Sequence, residues 1–537
     1  MRTKILAQYI VILALLGGVL SCENPLKDFN LIVGTDVIRH ATIVEVLSTD
    51  GQAVDAKIKL LAGDVQDVYN LSGYKEFKLV GNQVTFGLDP KREPTAADPI
   101  QIDVEISAEG YHTQIVQVSI TAINNGIMPV RLAKKNELPT GAVSITKTAA
   151  LNDKVALSTG VLLEAVDPNG VTVHVNVPAG TQFLDAAGKV IQGKAISLTV
   201  IAYDPLHPAT AALFPGGRFQ ADGVERVGQA PSSGTFNPAV SANVQMTIDG
   251  VPVRRFSNPI HFEMFLSDSF LHSTAGSELL GTNLSTFTYS SFDPVWRHEI
   301  EAPVQQSGGN YAVSFTVDHL TTFLVGEFMH SCAPISQVNF TADWMDQGFT
   351  YPILVEAVKN GQVIASRLFS VNANNKSIAL DYLPATGVSI VVRSTLDNSI
   401  IAQADLAACG SQTNVTLQNP FQPGEPKVTL QLYVRCPDKS STVTVLPTFQ
   451  LYYRLAGTGS FKLLGEVDNG FLSTSFLKTD GTKYDFRAVW DGKTKTVNGK
   501  TVQVDNSGTI GIKPGDIIGE KVGATNLEIL TEECAKL

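Results

Sequence analysis

Apolar and polar residues alternate with a period of two along most of this chain. In residues 171–177, four valines alternate with Thr172, His174 and Asn176. Because successive side chains of a β-strand point to opposite faces of a sheet, this alternation predicts strands with one buried and one solvated face. Helical periodicity is almost absent, so the pattern indicates an all-β chain.

Turn signals separate the predicted strands. Asn-Gly and Asp-Gly pairs tolerate the positive φ angles of tight hairpin turns. They occur at Asp50-Gly51, Asn169-Gly170, Asp249-Gly250, Asn360-Gly361, Asn469-Gly470, Asp480-Gly481, Asp491-Gly492 and Asn498-Gly499. Short alternating strands joined by such turns predict antiparallel meanders, and therefore tandem β-sandwich domains of the immunoglobulin-like or transthyretin-like kind.

The length of the chain, 537 residues, exceeds what one hydrophobic core usually supports. A polar stretch from Lys134 to Gly141 and a Pro-Gly-containing stretch from Pro420 to Gly424 mark boundaries. We expect four β modules after a short tether at residues 22–30. The first module spans residues 31–137, the second 138–330, the third 331–420 and the fourth 421–537.

Two of these modules resemble known families. The first resembles the carboxypeptidase-regulatory-like family, a transthyretin-like sandwich, through Asp50-Gly51, Gly110-Tyr111 and the closing Val130-Arg131-Leu132. The second resembles the domain that zonula occludens proteins share with netrin receptors, through Pro178-Ala179-Gly180 and the terminal His319-Leu320-Thr321. Their order is similar to that in cartilage-intermediate-layer proteins, and the resemblance covers about half of the chain.

The first residues have the pattern of an export signal. Arg2 and Lys4 precede a short apolar run, and Ser21-Cys22 follows it before the chain turns polar. Because the run is too short to span a bilayer stably, we expect residues 1–21 to be a cleaved signal peptide. A cysteine after a small residue resembles the lipobox of bacterial lipoproteins, which implies that Cys22 becomes the acylated N-terminus. Acyl chains would then anchor an extracytoplasmic protein in the outer membrane.

The chain is acidic, which narrows the classes of partner. Its formal charge is −11, and it becomes more negative when Arg2 and Lys4 leave with the signal. Nucleic acids and anionic lipids are polyanions that bind to clusters of Lys and Arg. The sequence contains no such cluster, so it argues against nucleic acid as a partner.

Four further cysteines, Cys332, Cys409, Cys436 and Cys534, lie in the C-terminal two-fifths of the chain. An even number of cysteines in an exported protein predicts disulfides. Several pairings are open, and Cys332 with Cys409 and Cys436 with Cys534 would each bracket one module. The short Cys-x-x-Cys pairs of structural zinc sites are missing from the sequence, so we expect no metal and no cofactor.

One motif carries candidate chemistry. His319-Leu320-Thr321 resembles the cleavage motif of autoproteolytic relatives of this fold and of the GAIN domains of adhesion receptors. His319 could accept the proton of the Thr321 hydroxyl, and the hydroxyl oxygen would then attack the Leu320 carbonyl. The acyl group would shift from the Thr321 nitrogen to this oxygen, which breaks the peptide bond, frees the amine and leaves an ester for water to hydrolyse. The alternative is that His319 and Thr321 hydrogen-bond to fix the turn while Leu320 fills the core.

Trp296, Trp344 and Trp490 are candidate ligand-binding residues. The C–H face of a sugar packs on an aromatic ring, while neighbouring polar groups bind its hydroxyls. The alternative is that these large aromatic side chains lie mainly in cores.

The sequence therefore favours a non-enzymatic, membrane-anchored lipoprotein with a binding, adhesion or structural role. Its expected partners are the membrane and either a glycan or a surface protein. A glycan-binding accessory lipoprotein and an autoproteolytic module cleaving between Leu320 and Thr321 are the alternatives. With the lipid on Cys22, we expect the first module to lie nearest the bilayer.

Overall fold

A computed structural model describes residues 31–34, 40–70, 73–121, 125–167, 170–207, 209–274, 278–290, 293–333, 335–345, 349–407, 410–421, 427–435, 443–446, 448–490 and 493–509. These residues form two compact units. The major unit comprises the described residues within Ile38–Pro423 and Asp491–Thr494. The minor unit comprises those within Met1–Val37, Gly424–Trp490 and Lys495–Leu537. The described residues include no helix with the length and apolar character that crossing a bilayer requires.

The first module is a two-sheet sandwich. Its region contains β1 (Leu31–Gly34), β2 (Ala41–Ser48), β3 (Lys57–Gly63), β4 (Val68–Tyr69), β5 (Gln83–Leu88), β6 (Ile100–Ser107), β7 (Gln114–Ile120) and β8 (Ile127–Leu132). One sheet has the order β3-β6-β7, and β8, β2, β5 and β4 are neighbours in the other. Strands β2, β6 and β7 alternate strictly between buried and half-buried side chains, and the buried ones, such as Val44, Val104 and Val116, form one core.

The second module is built around one sheet of 13 described strands. Its strands are β9 (Ala142–Ala150), β10 (Val161–Val166), β11 (Thr172–Val177), β12 (Phe183–Leu184), β13 (Ala195–Tyr203), β14 (Gln220–Val224), β15 (Ser232–Ile248), β16 (Val251–Pro252), β17 (Arg255–Phe265), β18 (Asn283–Ser290), β19 (Asp293–Ser307), β20 (Asn310–His319) and β21 (Thr322–His330). One α-helix, α1 (Asp268–Thr274), and short 3₁₀ turns at Ala211–Leu213 and Pro215–Gly217 interrupt them. The main path is β10-β11-β17-β20-β19-β18-β21-β15-β13-β9.

Aromatic side chains fill the core of the second module. The Phe236 ring lies 5.0 Å from the Phe287 ring and 4.9 Å from the Trp296 ring. The valines of β11 are fully buried, which confirms the predicted strand. Close packing of β15 and β21 requires glycine at position 326, since a Cβ atom there would lie 2.5 Å from the carbonyl oxygen of Asn237.

The third module shares a sheet with the first. Its strands are β22 (Ser336–Thr341), β23 (Thr350–Lys359), β24 (Gln362–Asn372), β25 (Ser377–Leu380), β26 (Val388–Ser394), β27 (Ile400–Asp405) and β28 (Gln412–Thr416). One sheet has the order β25-β22-β28, and the other runs β27-β26-β23-β24-β8-β2-β5-β4. The link is the antiparallel pair of Leu368 with Ile127. An open sheet edge must be paired or covered, and here β8 and β24 cover each other.

The fourth module forms most of the minor unit. Its strands are β29 (Val428–Arg435), β30 (Val443–Leu446), β31 (Phe449–Leu455), β32 (Lys462–Val467), β33 (Phe471–Thr474), β34 (Tyr484–Trp490), β35 (Lys493–Lys500) and β36 (Asp505–Thr509). One sheet has the order β1-β30-β29-β33, with β36 beside β29, and the other has the order β32-β31-β34-β35. Nearly all of the regular structure described is therefore β, as the alternation predicted.

Strand β1 corrects one predicted boundary. The sequence pattern assigns residues 31–34 to the first module, but β1 pairs in parallel with β30, with Leu31 opposite Val443 and Gly34 opposite Leu446. The first sandwich therefore begins at β2. A period-two pattern shows which face of a strand is buried but not which strand lies beside it, so a short apolar run such as Leu31-Ile32-Val33 has no assigned partner.

Candidate functional site

A cleft of about 550 Å³ opens between the first and second modules of the major unit. Small-molecule sites usually have volumes of about 300–1,000 Å³. Residues at β6 and the start of β7 form one wall, and residues of β13, β15 and the β20–β21 turn form the other. The polar groups that line it include Glu105, His112, Asn243, Gln245, Tyr289 and Thr321.

His112 stands on the first-module wall, just before β7. Its backbone N–H donates to the carbonyl oxygen of Ala133 at 2.8 Å, which fixes the chain at this point. Its Nε2 is buried and has no hydrogen-bond partner in the part of the chain that the structure describes. Burial, and then the charge of Lys135, lower the pKa of His112, so the imidazole is neutral at pH 7.

A hydrogen-bonded row of uncharged side chains lines the second-module wall. Gln245 Nε2 donates to Asn243 Oδ1 at 2.8 Å. Asn243 Nδ2 in turn donates to Thr322 Oγ1 at 2.8 Å. The row orients two amide groups beside the cleft without adding a charge.

Thr321 of the candidate cleavage motif lies at the cleft, in the turn between β20 and β21. Its hydroxyl donates a hydrogen bond to the carbonyl oxygen of Tyr289. The neighbouring Leu320 is buried, and its N–H donates to the carbonyl oxygen of Arg254 at 2.9 Å. The turn is therefore fixed by two backbone acceptors, one in β18 and one just before β17.

His319 has partners other than Thr321. Its Nδ1 lies 3.3 Å from Asp318 Oδ1, and its Nε2 lies 3.7 Å from Glu299 Oε2. Removal of the Thr321 proton by His319 would need a hydrogen bond between the two side chains. The structure brings them into one turn but gives each a different partner.

The candidate tryptophans differ in their surroundings. Trp296 is 5% exposed and stacks on Phe214 with 5.4 Å between ring centroids, so it lies in the core and offers no ring face to a sugar. Trp344 is half-buried, and its Nε1 donates to the carbonyl oxygen of Leu417 at 3.1 Å. The side chain of Trp490 lies outside the described part. Sequence alternation could not distinguish these cases, because large aromatic side chains occupy both kinds of position.

Cys332 is buried and disulfide-bonded. The other predicted disulfide cysteines, Cys409, Cys436 and Cys534, lie outside the described residues, so the pairing stays a prediction. The lipid-attachment candidate Cys22 also lies outside them.

A buried ion cluster joins the three modules of the major unit. Asp381, just after β25, accepts hydrogen bonds from Arg367 Nη2 at 2.9 Å and from Arg218 Nη1 at 3.3 Å. Ser119 Oγ donates to it at 3.1 Å. Ser119 belongs to the first module, Arg218 to the second, and Arg367 and Asp381 to the third. One carboxylate therefore has partners in all three modules.

Electrostatics keep this carboxylate ionised. Burial by itself would raise the pKa of Asp381, but the charges of Arg218 and Arg367 outweigh burial and hold the pKa below its usual value. The next residue, Tyr382, extends the contact, since Gln101 donates to its hydroxyl and Thr235 to its carbonyl oxygen.

Sequence reasoning missed this cluster. Its members are far apart in the chain and belong to no motif. One signal was available at Arg367, because it occupies a position of β24 with the same alternation as the buried Ala365 and Phe369. A charged residue at an inward position indicates a buried partner of opposite charge.

No protein-family model and no curated protein sequence matches this chain. Among solved structures, the Bacillus anthracis TIE protein is similar at a TM-score of 0.13 and 10% identity, with 68% of this chain and 57% of that protein covered. The major pilin subunit BcpA of Bacillus cereus is similar at a TM-score of 0.14 and 10% identity, with 71% of this chain and 98% of that protein covered. Two B repeat units of the collagen binding protein of Staphylococcus aureus are similar at a TM-score of 0.12 and 13% identity, with 86% of this chain and 99% of that structure covered. TM-scores this low do not indicate a shared fold.

Proposed function

We propose that this chain is an exported bacterial lipoprotein, anchored through Cys22, whose β modules form a non-enzymatic scaffold with a binding or adhesion face. The anchor rests on the charged, apolar and small residues that precede Cys22 in the sequence. The scaffold rests on the way three modules are joined.

The observation that carries the scaffold role is the ion cluster at Asp381. Modules joined only by flexible linkers reorient freely. Here the guanidinium groups of Arg218 and Arg367 are desolvated together with the carboxylate, and that costs free energy unless every partner stays in place. The cluster therefore favours one relative orientation of the three modules, which suits a protein that holds a surface in a fixed position.

The position of β1 changes which part of the chain we place at the membrane. A tether of residues 22–30 reaches at most about 30 Å when fully extended. Strand β1 follows this tether directly and pairs with β30. In this proposal the first described strand after the lipid-bearing tether belongs to the minor unit and not to the first module.

Metabolic labelling tests the anchor. Cells that express the full chain are fed an alkyne fatty acid, and the purified protein is coupled to a fluorescent azide and separated on a denaturing gel. We expect a labelled band in the membrane fraction for the wild type and no label for Cys22→Ser. An unlabelled wild type, or label that persists in Cys22→Ser, would overturn the anchor.

A further inference from the structure

One face of the second module is uncharged. Strands β9, β13 and β15 are aligned neighbours, and their outward residues form three rows across the sheet. The rows are Ser144-Ile201-Asn243, Thr146-Thr199-Gln245 and Thr148-Ser197-Thr247, and we name these nine residues the hydroxyl–amide face. Residues between them, such as Leu198 and Val244, point inward to the core.

The face is open to solvent and partly ordered by its own hydrogen bonds. Its residues are exposed or half-buried, and none carries a charge. The hydroxyls of Thr146 and Thr199 lie 2.9 Å apart across the two strands. Eight of the nine residues carry a hydroxyl or an amide group, with Ile201 as the exception, so the face offers many hydrogen-bonding groups and no charge.

The face continues into the cleft between the first two modules. Ile201, Asn243, Gln245 and Thr247 belong to the face and also line the cleft. The rest of the cleft lining includes the neutral His112, the aromatic ring of Tyr289 and one side chain of each charge, Glu105 and Arg254. An elongated ligand could therefore lie across the strands and enter the cleft at one end.

We propose that the hydroxyl–amide face and the adjoining cleft bind a neutral oligosaccharide. Hydroxyl and amide groups both donate and accept hydrogen bonds, as sugar hydroxyls do. An anionic chain would meet no opposite charge on the face, and in the cleft the positive charge of Arg254 is accompanied by the negative charge of Glu105. A peptide strand would pair with the backbone edge of β9 rather than with these side chains. The inference rests on the binding role proposed above and names its ligand class.

Calorimetric titration of the full chain in detergent tests this site. The probes are maltohexaose, cellohexaose, mannohexaose and xylohexaose, with hexagalacturonic acid as the anionic comparison. We expect at least one neutral hexasaccharide to bind, and we expect Thr199→Ala with Gln245→Ala to weaken its affinity by roughly tenfold, as the loss of about 1.4 kcal/mol implies.

The matched control is Gln403→Ala, which removes an exposed amide from β27 in the third module and should leave the affinity unchanged. The inference is overturned if no neutral hexasaccharide binds, if the double variant binds as well as the wild type, or if hexagalacturonic acid binds best. Fatty-acid labelling is independent of these titrations. A labelled chain that binds no hexasaccharide would therefore contradict this site without contradicting the anchor.

Discussion

Arg367 Nη2 lies 2.9 Å from Asp381 Oδ1, and the two side chains are only 8% and 5% exposed. The other carboxylate oxygen lies 3.3 Å from Arg218 Nη1. Two positive charges therefore share one negative charge at a place from which most water is excluded. Such a cluster contributes little net stability when complete, but removal of one member leaves the others buried without a partner.

Replacement of Asp381 by Asn tests the cluster. The amide keeps the shape of the side chain but removes the charge that Arg218 and Arg367 share. We expect the free energy of unfolding to fall by about 3–5 kcal/mol, measured by denaturant titration. The matched control is Glu76→Gln at an exposed ion pair with Lys78, which should leave stability unchanged. Equal stability of Asp381→Asn and the wild type would contradict the assigned role.

The stabilisation by Asp381 should depend on pH. The pKa of this carboxyl is lower in the folded chain than its usual value of 3.8, because the two arginine charges outweigh burial. Its contribution is therefore fully present above the usual pKa and is lost as pH falls below it towards the lowered pKa. We expect the stability difference between the wild type and Asp381→Asn to be constant near neutral pH and to shrink below about pH 4. A difference that stays constant down to pH 2 would count against the ion cluster.

The contribution of Asp103 to stability should depend on pH in the opposite direction from that of Asp381. Burial, and then the negative charge of Asp222, raise the pKa of Asp103. The folded chain therefore holds this proton more tightly than the unfolded chain, and the contribution of Asp103 to stability improves as pH falls through its raised pKa. In Asp103→Asn this pH dependence should be absent.

The turn at Thr321 should remain intact. The Thr321 hydroxyl donates to the carbonyl oxygen of Tyr289, and His319 faces Asp318 and Glu299, so His319 is not positioned to activate the hydroxyl. We expect the wild type and Thr321→Ala to run alike as one full-length band on a denaturing gel. A second wild-type fragment whose sequence begins at Thr321 would show that the turn rearranges and cleaves.

The disulfide of Cys332 should join it to Cys409. Strand β22 pairs in parallel with β28, with Gln337 opposite Gln412. In the sequence, Cys332 precedes β22 and Cys409 precedes β28, so the two cysteines bracket the third module. Peptide mapping of the unreduced protein should yield a fragment that links Cys332 to Cys409. A fragment that links Cys332 to Cys436 or Cys534 would contradict this pairing.

The sequence predicted the strands and their buried faces, because these features depend on residues that are close together in the chain. The alternation in β11 was enough to place its valines inside, because strand geometry fixes the two faces. The sequence did not predict the pairing of β8 with β24 or the contact of Arg218 with Asp381. Both join residues more than a hundred positions apart, and such contacts leave no local pattern. Trp296 was ambiguous for the same reason, since its burial depends on Phe214 and Phe236 from other parts of the chain.

The candidate site was only partly predictable. The histidine and threonine of the terminal motif were visible as neighbours, and the structure does place Thr321 at a cleft. The Asn243-Gln245 wall was not identified, although an alternating strand with uncharged outward residues is readable from the sequence. The strand is recognised as part of an uncharged face only when the residues beside it in β13 and β9 are known, and the register of the sheet supplies these neighbours.

Amide hydrogen exchange, followed by mass spectrometry, tests most directly whether the three modules of the major unit form one scaffold. We expect the slowest-exchanging amides of β2, β15 and β23, one strand from each module, to open with the same free energy in the wild type. In Asp381→Asn the three strands should exchange at different free energies. If they already open independently in the wild type, the three modules are separate folding units and do not form one scaffold.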